Sequence, residues 1–255
     1  EHPNPNFKRE NYEILNGEWE FEFDFGNSGV NREMFKNDSV FSKKITVPFC
    51  VESELSGIGY KDFIPAVWYR KKINITKEQL ENRVFIIFGA VDFHAKLYVN
   101  EVEAGEHFGG YTSFRIELTK YLKEGENEIV AVVFKWCSGS YLEAQDMFRE
   151  CGIFRDVLLY SYEKTYINDF QAIAKKNGKK YNLDIEAEIK GGLKDIKLTA
   201  TLCDGESVVA SETVDGAKKL SFALKNLKVE EWSAEIPRLY ELYLTLSKGD
   251  DEVMT

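Results

Sequence analysis

The sequence predicts an all-β protein made of two successive sandwiches. Short apolar segments recur about every ten residues between turn residues, which is the spacing of sandwiches and barrels. The 18 Phe and 13 Tyr residues support this class, because aromatic side chains favour strands. The first part of the chain is expected to be a β-sandwich or jelly roll, and the second an immunoglobulin-like sandwich.

Alternating side chains mark the strands of the first part. Residues 18–25 alternate aromatic with acidic side chains, which predicts one buried and one solvated face. Thr76 is expected to cap one helical turn, and Asn100-Glu101 to form a two-residue hairpin turn. The glycine-rich residues 105–110 predict a wide loop. The other predicted strands are residues 44–47, 66–75, 84–88, 94–99, 113–118, 128–134 and 153–160.

Composition changes in the second part, where lysine becomes more frequent and aromatic residues become fewer. We assign residues 1–163 to the first domain and residues 164–255 to the second. Trp19 and Trp232 are both predicted to lie in a core. Residues 252–255 begin a strand pattern, so we expect the chain to be truncated. The predicted strands of the second domain are residues 166–174, 182–190, 196–203, 208–214, 220–224 and 239–247.

The charge balance disfavours two classes of partner. The net charge is −10 and the pI is about 5.0, which disfavours binding to nucleic acid or to an anionic membrane. The sequence contains no apolar run that approaches the roughly 18 residues of a membrane-spanning helix. We therefore expect no nucleic-acid or membrane partner.

Cysteine usage indicates a compartment. The four cysteines include no CxxC pair, and Cys50, Cys137 and Cys151 have apolar or aromatic neighbours. This pattern is typical of free thiols in a reducing compartment, so we expect a cytoplasmic location. The chain begins at Glu1 rather than Met, and a periplasmic or secreted location therefore stays open.

A long aperiodic stretch joins two apolar segments of the first part. Residues 135–152 exceed the usual hairpin loop of about 2–5 residues, which indicates a connection that is functional, packed or disordered. The stretch contains no Pro and several apolar side chains, including Trp136, so we expect it to be ordered. It also carries Glu143, Gln145 and Asp146. An ordered loop with carboxylates at the end of a β-scaffold is typical of a binding site.

Residues 140–157, SYLEAQDMFRECGIFRDV, resemble the segment SYLE-x-QDMWR-x-SGIFRDV of family 2 glycoside hydrolases, specifically of their β-galactosidases. The resemblance extends along the chain. LNGEWEF at residues 15–21 and WYR at residues 68–70 resemble strands of the family's first domain. The same holds for the block at residues 88–114, and EEWSAEIPRLY at residues 230–240 resembles an element of its second domain.

The resemblance implies a galactose-binding-like jelly roll, often called the sugar-binding domain, then an immunoglobulin-like domain and a catalytic (β/α)₈ barrel. The parent enzyme would hydrolyse terminal β-D-galactosides with retention, using two glutamates on the barrel. This chain would then hold no catalytic residue, be inactive alone and lend residues 141–149 to the sugar site. Two alternatives stay open, which are a β-glucuronidase or β-mannosidase of the same family and a stand-alone carbohydrate-binding module.

The resemblance also assigns site residues. Asp146 would accept hydrogen bonds from sugar hydroxyls and ligate sodium, with Gln145 and Glu143 as further substrate contacts; capping of a helical turn is the alternative for Asp146. Trp136 is expected to pin the loop, with stacking on sugar as its alternative. Ile64 stands where the large β-galactosidases carry an Asn that touches the sugar, so the exact sugar stays open.

The remaining implications concern cofactors and partners. Sodium and magnesium are the expected cofactors of the full enzyme. The expected partners are a carbohydrate substrate and the protein's own C-terminal catalytic domain. A homo-oligomer of the full enzyme stays open.

Overall fold

A computed structural model describes residues 11–36, 40–137, 139–140 and 150–255 of the chain. Strands dominate these residues, which confirms the predicted all-β class. The chain divides into two compact units, Glu1–Ser161 and Tyr162–Thr255. Among the described residues, no helix is both long enough and apolar enough to cross a membrane.

The first unit is built from antiparallel sheets. Its strands are β1 (Tyr12–Ile14), β2 (Gly17–Asp24), β3 (Lys43–Val47), β4 (Ala66–Ile75), β5 (Arg83–Phe88), β6 (Val91–Asp92), β7 (His94–Val99), β8 (Val102–Phe108), β9 (Phe114–Glu117), β10 (Gly125–Phe134), β11 (Gly152–Ile153) and β12 (Val157–Tyr162). A six-stranded sheet has the order β3-β2-β4-β10-β7-β8, and a four-stranded sheet has the order β1-β12-β5-β9. The short strands β11 and β6 pair with each other.

The main core of this unit lies between the two large sheets, and a smaller cluster covers the other face of the six-stranded sheet. Strand β4 explains how both form, because successive side chains of a strand point to opposite faces. Val67 and Tyr69 join the main core, whereas Ala66 and Trp68 join the smaller cluster. A central strand of this kind is apolar on both faces at its buried end.

Strand β2 shows the predicted alternation of buried aromatic and exposed acidic residues at its start. The alternation fails at its end. Trp19 is buried, as predicted, and Glu18 is exposed. Asp24, predicted to be solvated, is only 2% exposed. Its carboxylate accepts hydrogen bonds from the backbone N–H of Gly29 at 2.7 Å and from Trp68 Nε1 at 3.3 Å. Asp24 therefore organises the loop after β2 instead of facing water.

Local turn chemistry follows the prediction closely. The helix α1 (Lys77–Glu81) begins after Thr76, whose side chain accepts from Gln79 N at 3.2 Å while the Gln79 side chain accepts from Thr76 N at 2.9 Å. This reciprocal pair is a capping box. Asn100 and Glu101 both adopt positive φ, 48° and 70°, as a two-residue hairpin turn requires.

Three strands of the first unit, β1, β6 and β8, were not predicted. Gly105 lies inside β8 rather than in a wide loop, and a Cβ at that position would meet the Ile116 side chain at 3.3 Å. The glycine thus reflects close packing between strands and not a loop. Strand β1 is short and half polar, and it is held by pairing with β12, where Tyr12 aligns with Tyr160.

The second unit is a smaller pair of sheets around its own apolar core. Trp232, predicted to be buried there, is 60% exposed because it lies between two strands in a segment outside either sheet. The strands of this unit are β13 (Tyr166–Asn177), β14 (Lys180–Lys190), β15 (Ile196–Asp204), β16 (Ser207–Asp215), β17 (Lys219–Leu227), β18 (Glu241–Lys248) and β19 (Asp251–Met254). They form one sheet with the order β13-β14-β17 and another with the order β16-β15-β18-β19.

Candidate functional site

One end of the six-stranded sheet is the starting point of the stretch singled out from the sequence. Phe134, the last residue of β10, aligns with Ala66 at the start of β4 and with His94 at the start of β7. His94 in turn aligns with Phe108, the last residue of β8. Loops that leave these strands therefore emerge together, and the stretch after β10 is one of them.

The predicted site residues belong to the stretch that follows β10. Glu143, Gln145 and Asp146 all lie outside the described residues. Their assignment as substrate contacts stays a prediction, as does the sodium role of Asp146. What the structure describes is the support on either side of them, from Lys135 to Cys137 and from Glu150 onward.

A buried carboxylate connects the two sides of this stretch. Glu52 is 3% exposed and lies in the segment between β3 and β4. Its Oε1 atom accepts a hydrogen bond from Lys135 Nζ, which makes a buried ion pair. Its Oε2 atom accepts a hydrogen bond from the Cys151 N–H at 2.9 Å. One side chain thus binds the chain immediately before and immediately after the predicted loop.

The backbone strengthens the same connection. Val51 N donates to Cys151 O at 3.1 Å, next to the bond that Cys151 N donates to Glu52. Lys135 N donates to Pro65 O at 3.0 Å, which fixes the other side against the residue that precedes β4. Both sides of the predicted loop are therefore hydrogen-bonded to the body of the sandwich.

Gly152 shows why the motif continues with a glycine. It has a φ of +97°, and a Cβ there would lie 2.0 Å from the Tyr69 hydroxyl oxygen, so no other residue fits. The adjacent Ile153 N–H donates to that oxygen at 3.4 Å. Burial, the largest cause, raises the pKa of Tyr69 well above its usual value. The hydroxyl therefore stays protonated and has a structural role.

Cys50, which lies two residues before Glu52, is unsuited to nucleophilic chemistry. Burial raises the pKa of Cys50, and the negative charges of Glu150 and Glu52 add to the effect. The reactive thiolate is thus disfavoured near neutral pH. None of the four cysteines, all of which lie in the described ranges, forms a disulfide.

Exposed aromatic side chains gather at this end of the sheet. All five exposed aromatic residues that the structure describes in the first unit follow or precede strand ends located here; we call this region the aromatic end, and its residues are Phe25, Phe63, Phe108, Tyr111 and Trp136. Phe108 stacks on His94, with ring centroids 3.8 Å apart. Phe63 stacks on Trp136, with centroids 5.3 Å apart and planes inclined by 28°.

The position that departs from the family pattern is apolar and buried. Ile64 is 0% exposed and belongs to the main core. It therefore offers no polar atom to a sugar at the place where the resemblance expects an Asn. Over the residues that the structure describes, no group of three or more His, Cys, Asp or Glu side chains could hold a metal ion.

Sequence reasoning missed Glu52 and Phe63. The partners of Glu52 lie 83 and 99 positions away, so no local pattern could indicate its role. Phe63 carried a weak signal, since it is a large apolar residue next to a charged loop and just before a strand. Its partner Trp136 was singled out only as part of the long stretch.

Comparison with known proteins identifies the family. Residues 12–163 match the model of the glycosyl hydrolases family 2 sugar-binding domain. Residues 165–255 match a second model of glycosyl hydrolases family 2. The two models together cover most of the chain.

Two curated relatives are β-galactosidases. The chain is 30% identical to a β-galactosidase of Streptococcus thermophilus, over 94% of this chain and 26% of that protein. It is 33% identical to a β-galactosidase of Clostridium acetobutylicum, over 70% of this chain and 20% of that protein. The chain thus spans about a quarter or less of the length of these relatives.

Solved structures show the same fold at lower identity. A Ruminococcus gnavus β-glucuronidase superposes with a TM-score of 0.82 at 17% identity, over 98% of this chain and 44% of that one. A β-glucuronidase from an uncultured Clostridium sp. superposes with a TM-score of 0.76 at 24% identity, over 97% of this chain and 45% of that one. These similarities show the fold, and the two family models establish that the chain belongs to glycosyl hydrolases family 2.

Proposed function

We propose that the protein containing this chain is a retaining β-galactosidase, and that the chain itself helps to hold the sugar without cleaving the glycosidic bond. One observation carries the choice of sugar. The curated relatives at 30% and 33% identity are both β-galactosidases, whereas the glucuronidase structures are at most 24% identical and speak for the fold.

Retaining hydrolysis requires two carboxyl groups about 5–5.5 Å apart, one acting as nucleophile and the other as acid and base. In this proposal both come from a catalytic domain beyond the two described units. The contribution of the chain is positional. Effective catalysis depends on the sugar being held in the geometry of attack, so a fixed carboxylate beside the sugar adds to the rate without reacting.

Asp146 is the proposed carboxylate. An ionised Asp accepts several hydrogen bonds, which suits neighbouring sugar hydroxyls. Glu52 supports this role, because it binds Lys135 and Cys151 on the two sides of the loop and so limits how far the loop ends can separate. Gln145 and Glu143 are proposed as further contacts. A hard cation such as sodium suits the oxygen atoms of Asp146 as well, and magnesium stays an expectation for the full enzyme.

The substrate is tested by comparing nitrophenyl β-D-galactoside, β-D-glucuronide and β-D-mannoside on the full-length protein. We expect kcat/KM to be highest for the galactoside by at least tenfold. NMR of the first-formed sugar product should show the β-anomer, as retention requires. Preference for the glucuronide or the mannoside would replace the proposed substrate by that one. Sugar binding with no hydrolysis of any of the three would favour a carbohydrate-binding module.

Asp146→Asn tests the site residue. We expect kcat/KM on the galactoside to fall by about 10²-fold or more. The variant loses a charged acceptor whose hydrogen bonds to the sugar are stronger in the transition state than in the ground state. The matched control is Asp250→Asn in the exposed turn of the second unit, which should leave kinetics unchanged. Kinetics of Asp146→Asn equal to those of the control would leave Asp146 with a capping role only.

The second candidate is a β-glucuronidase. One observation favours it, namely the buried Ile64 in place of the Asn that touches the sugar in the large β-galactosidases. A glucuronate carboxylate needs a cationic partner, so this candidate predicts that catalysis on the glucuronide depends on a Lys or Arg near the sugar. The substrate comparison above separates the two.

A further inference from the structure

The stacked pair of Phe63 and Trp136 is unusual for its exposure. Phe63 is 63% exposed and Trp136 is 45% exposed, although large aromatic side chains gain most from burial. Phe25 and Phe108 are exposed too, but each lies against other rings of the sandwich, Phe25 on Phe23 and Phe108 on His94. In the Phe63–Trp136 pair both rings are exposed at once.

The two rings are held in place by the body of the protein. Phe63 precedes Ile64, which is buried in the main core, and Pro65, whose carbonyl accepts from Lys135 N. Trp136 directly follows Lys135, whose ammonium group binds the buried Glu52. Both backbones are thus fixed within one residue of the rings, so the pair is pre-organised and loses little entropy when a ligand stacks on it.

We propose that Phe63 and Trp136 form a stacking platform for the leaving group of the glycoside, either a second pyranose or an aryl group. The assignment rests on the proposed glycosidase function. Neutral, flat rings suit the apolar C–H face of a pyranose and the face of an aryl group, and they discriminate poorly between the hydroxyl patterns of sugars. Trp136 leads directly into the loop of Asp146, which is assigned to the sugar that is cleaved off.

The test varies the leaving group and keeps the sugar constant. Steady-state kinetics of the full-length protein are compared for methyl, nitrophenyl and glucosyl β-galactosides. For Phe63→Ala and Trp136→Ala we expect KM to rise about 2- to 10-fold with the nitrophenyl and glucosyl substrates, as the loss of one aromatic contact implies. The methyl substrate should change less than twofold, because its leaving group is too small to stack.

Two further variants separate stacking from structure. Trp136→Phe keeps a ring and should reverse most of the rise in KM expected for Trp136→Ala. Trp232→Ala removes a more exposed tryptophan from the second unit and should not alter leaving-group preference. An equal loss with all three substrates, or no loss with any, would overturn the platform.

Failure of the platform and failure of the proposed substrate give different results. If the wild type prefers glucuronides, the sugar assignment is wrong, and the same three leaving groups on glucuronate test the platform unchanged. If the wild type hydrolyses galactosides and the variants keep its leaving-group preference, only the platform is wrong. If no glycoside is hydrolysed, calorimetry with nitrophenyl β-galactoside decides, since the platform requires that both alanine variants bind this ligand more weakly than the wild type does.

Discussion

The two ends of the six-stranded sheet in the first unit are closed in different ways. At the aromatic end, exposed rings follow or precede the strand ends, and Glu52 forms a buried ion pair with Lys135. At the other end, which we call the polar end, Asn100 and Asn127 close the turns with their own side chains. Asn127 donates to Lys123 O at 2.7 Å and Gly125 O at 2.9 Å, and accepts from Asn100 Nδ2 at 2.8 Å.

The difference lies in which groups the side chains at each end satisfy. At the polar end, side-chain amides satisfy nearby backbone groups, so short turns need no external partner. At the aromatic end, hydrogen bonds to Glu52 and Pro65 fix residues 135 and 151, and apolar side chains stay exposed, which is the surface that we propose for sugar binding. Strand β10 runs from one end to the other, so substitutions along it and its neighbours can test this comparison directly.

The largest effect is expected for Glu52→Ala. Removing one member of a buried ion pair leaves the Lys135 charge without its main counter-charge, which should lower the free energy of unfolding by about 3–5 kcal/mol. Urea denaturation followed by tryptophan fluorescence measures it. Glu126→Ala is the matched control at the polar end, because Glu126 forms an exposed ion pair with Lys72, and it should cost about 0–1 kcal/mol. Similar losses for the two variants would remove the distinction between the ends.

An intermediate effect is expected for Asn127→Ala. The buried amide makes several hydrogen bonds to backbone and to Asn100, and their loss should lower the free energy of unfolding by about 2–3 kcal/mol. Glycoside hydrolysis by the full-length protein should not change, since the polar end has no assigned role in binding. A changed KM would show that the two ends are coupled. Asn74→Ala, at an exposed position of β4, is the control.

The smallest effect is expected for Glu101→Gly. Glu101 has a φ of 70°, where a side chain costs energy that glycine avoids, so the variant should gain about 0.5–1 kcal/mol. Differential scanning calorimetry should show a higher Tm. Glu103→Gly, in the same hairpin but within β8, should instead lower Tm. If both variants lowered Tm, the positive φ of Glu101 would not destabilise the polar end.

The parts of the fold that local chemistry determines were predicted well. Strands β4 and β7 and the helix capped by Thr76 have the predicted boundaries, because alternation and capping are read from neighbouring residues. The predicted strand at residues 153–160 is instead divided into β11 and β12. The positive φ of Gly152 and its contact with Tyr69 explain the local geometry, and neither is visible in the sequence pattern.

The site was predictable only as a motif. The resemblance around Asp146 indicated where to look, and the family models agree with it. The supporting residues could not be found in this way, because Glu52 meets Lys135 and Cys151 only after the sheets have formed. The solvent exposure of single side chains could not be read from the sequence either. For that reason Trp232 was predicted to be buried and Asp24 to be solvated, and both predictions were wrong.

The pairing of β1 with β12 has a consequence for biosynthesis. Tyr12 aligns with Tyr160, so 148 positions separate the two partners along the chain. At a translation rate of about 5–20 residues per second, the N-terminal strand waits roughly 7–30 s for its partner to be made. Strand β5 is made before β12, so the edge of β5 that β12 will cover stays without that partner until residues 157–162 have been made. The last-made strand of the sandwich thus determines how long the growing polypeptide is exposed to misassembly on the ribosome.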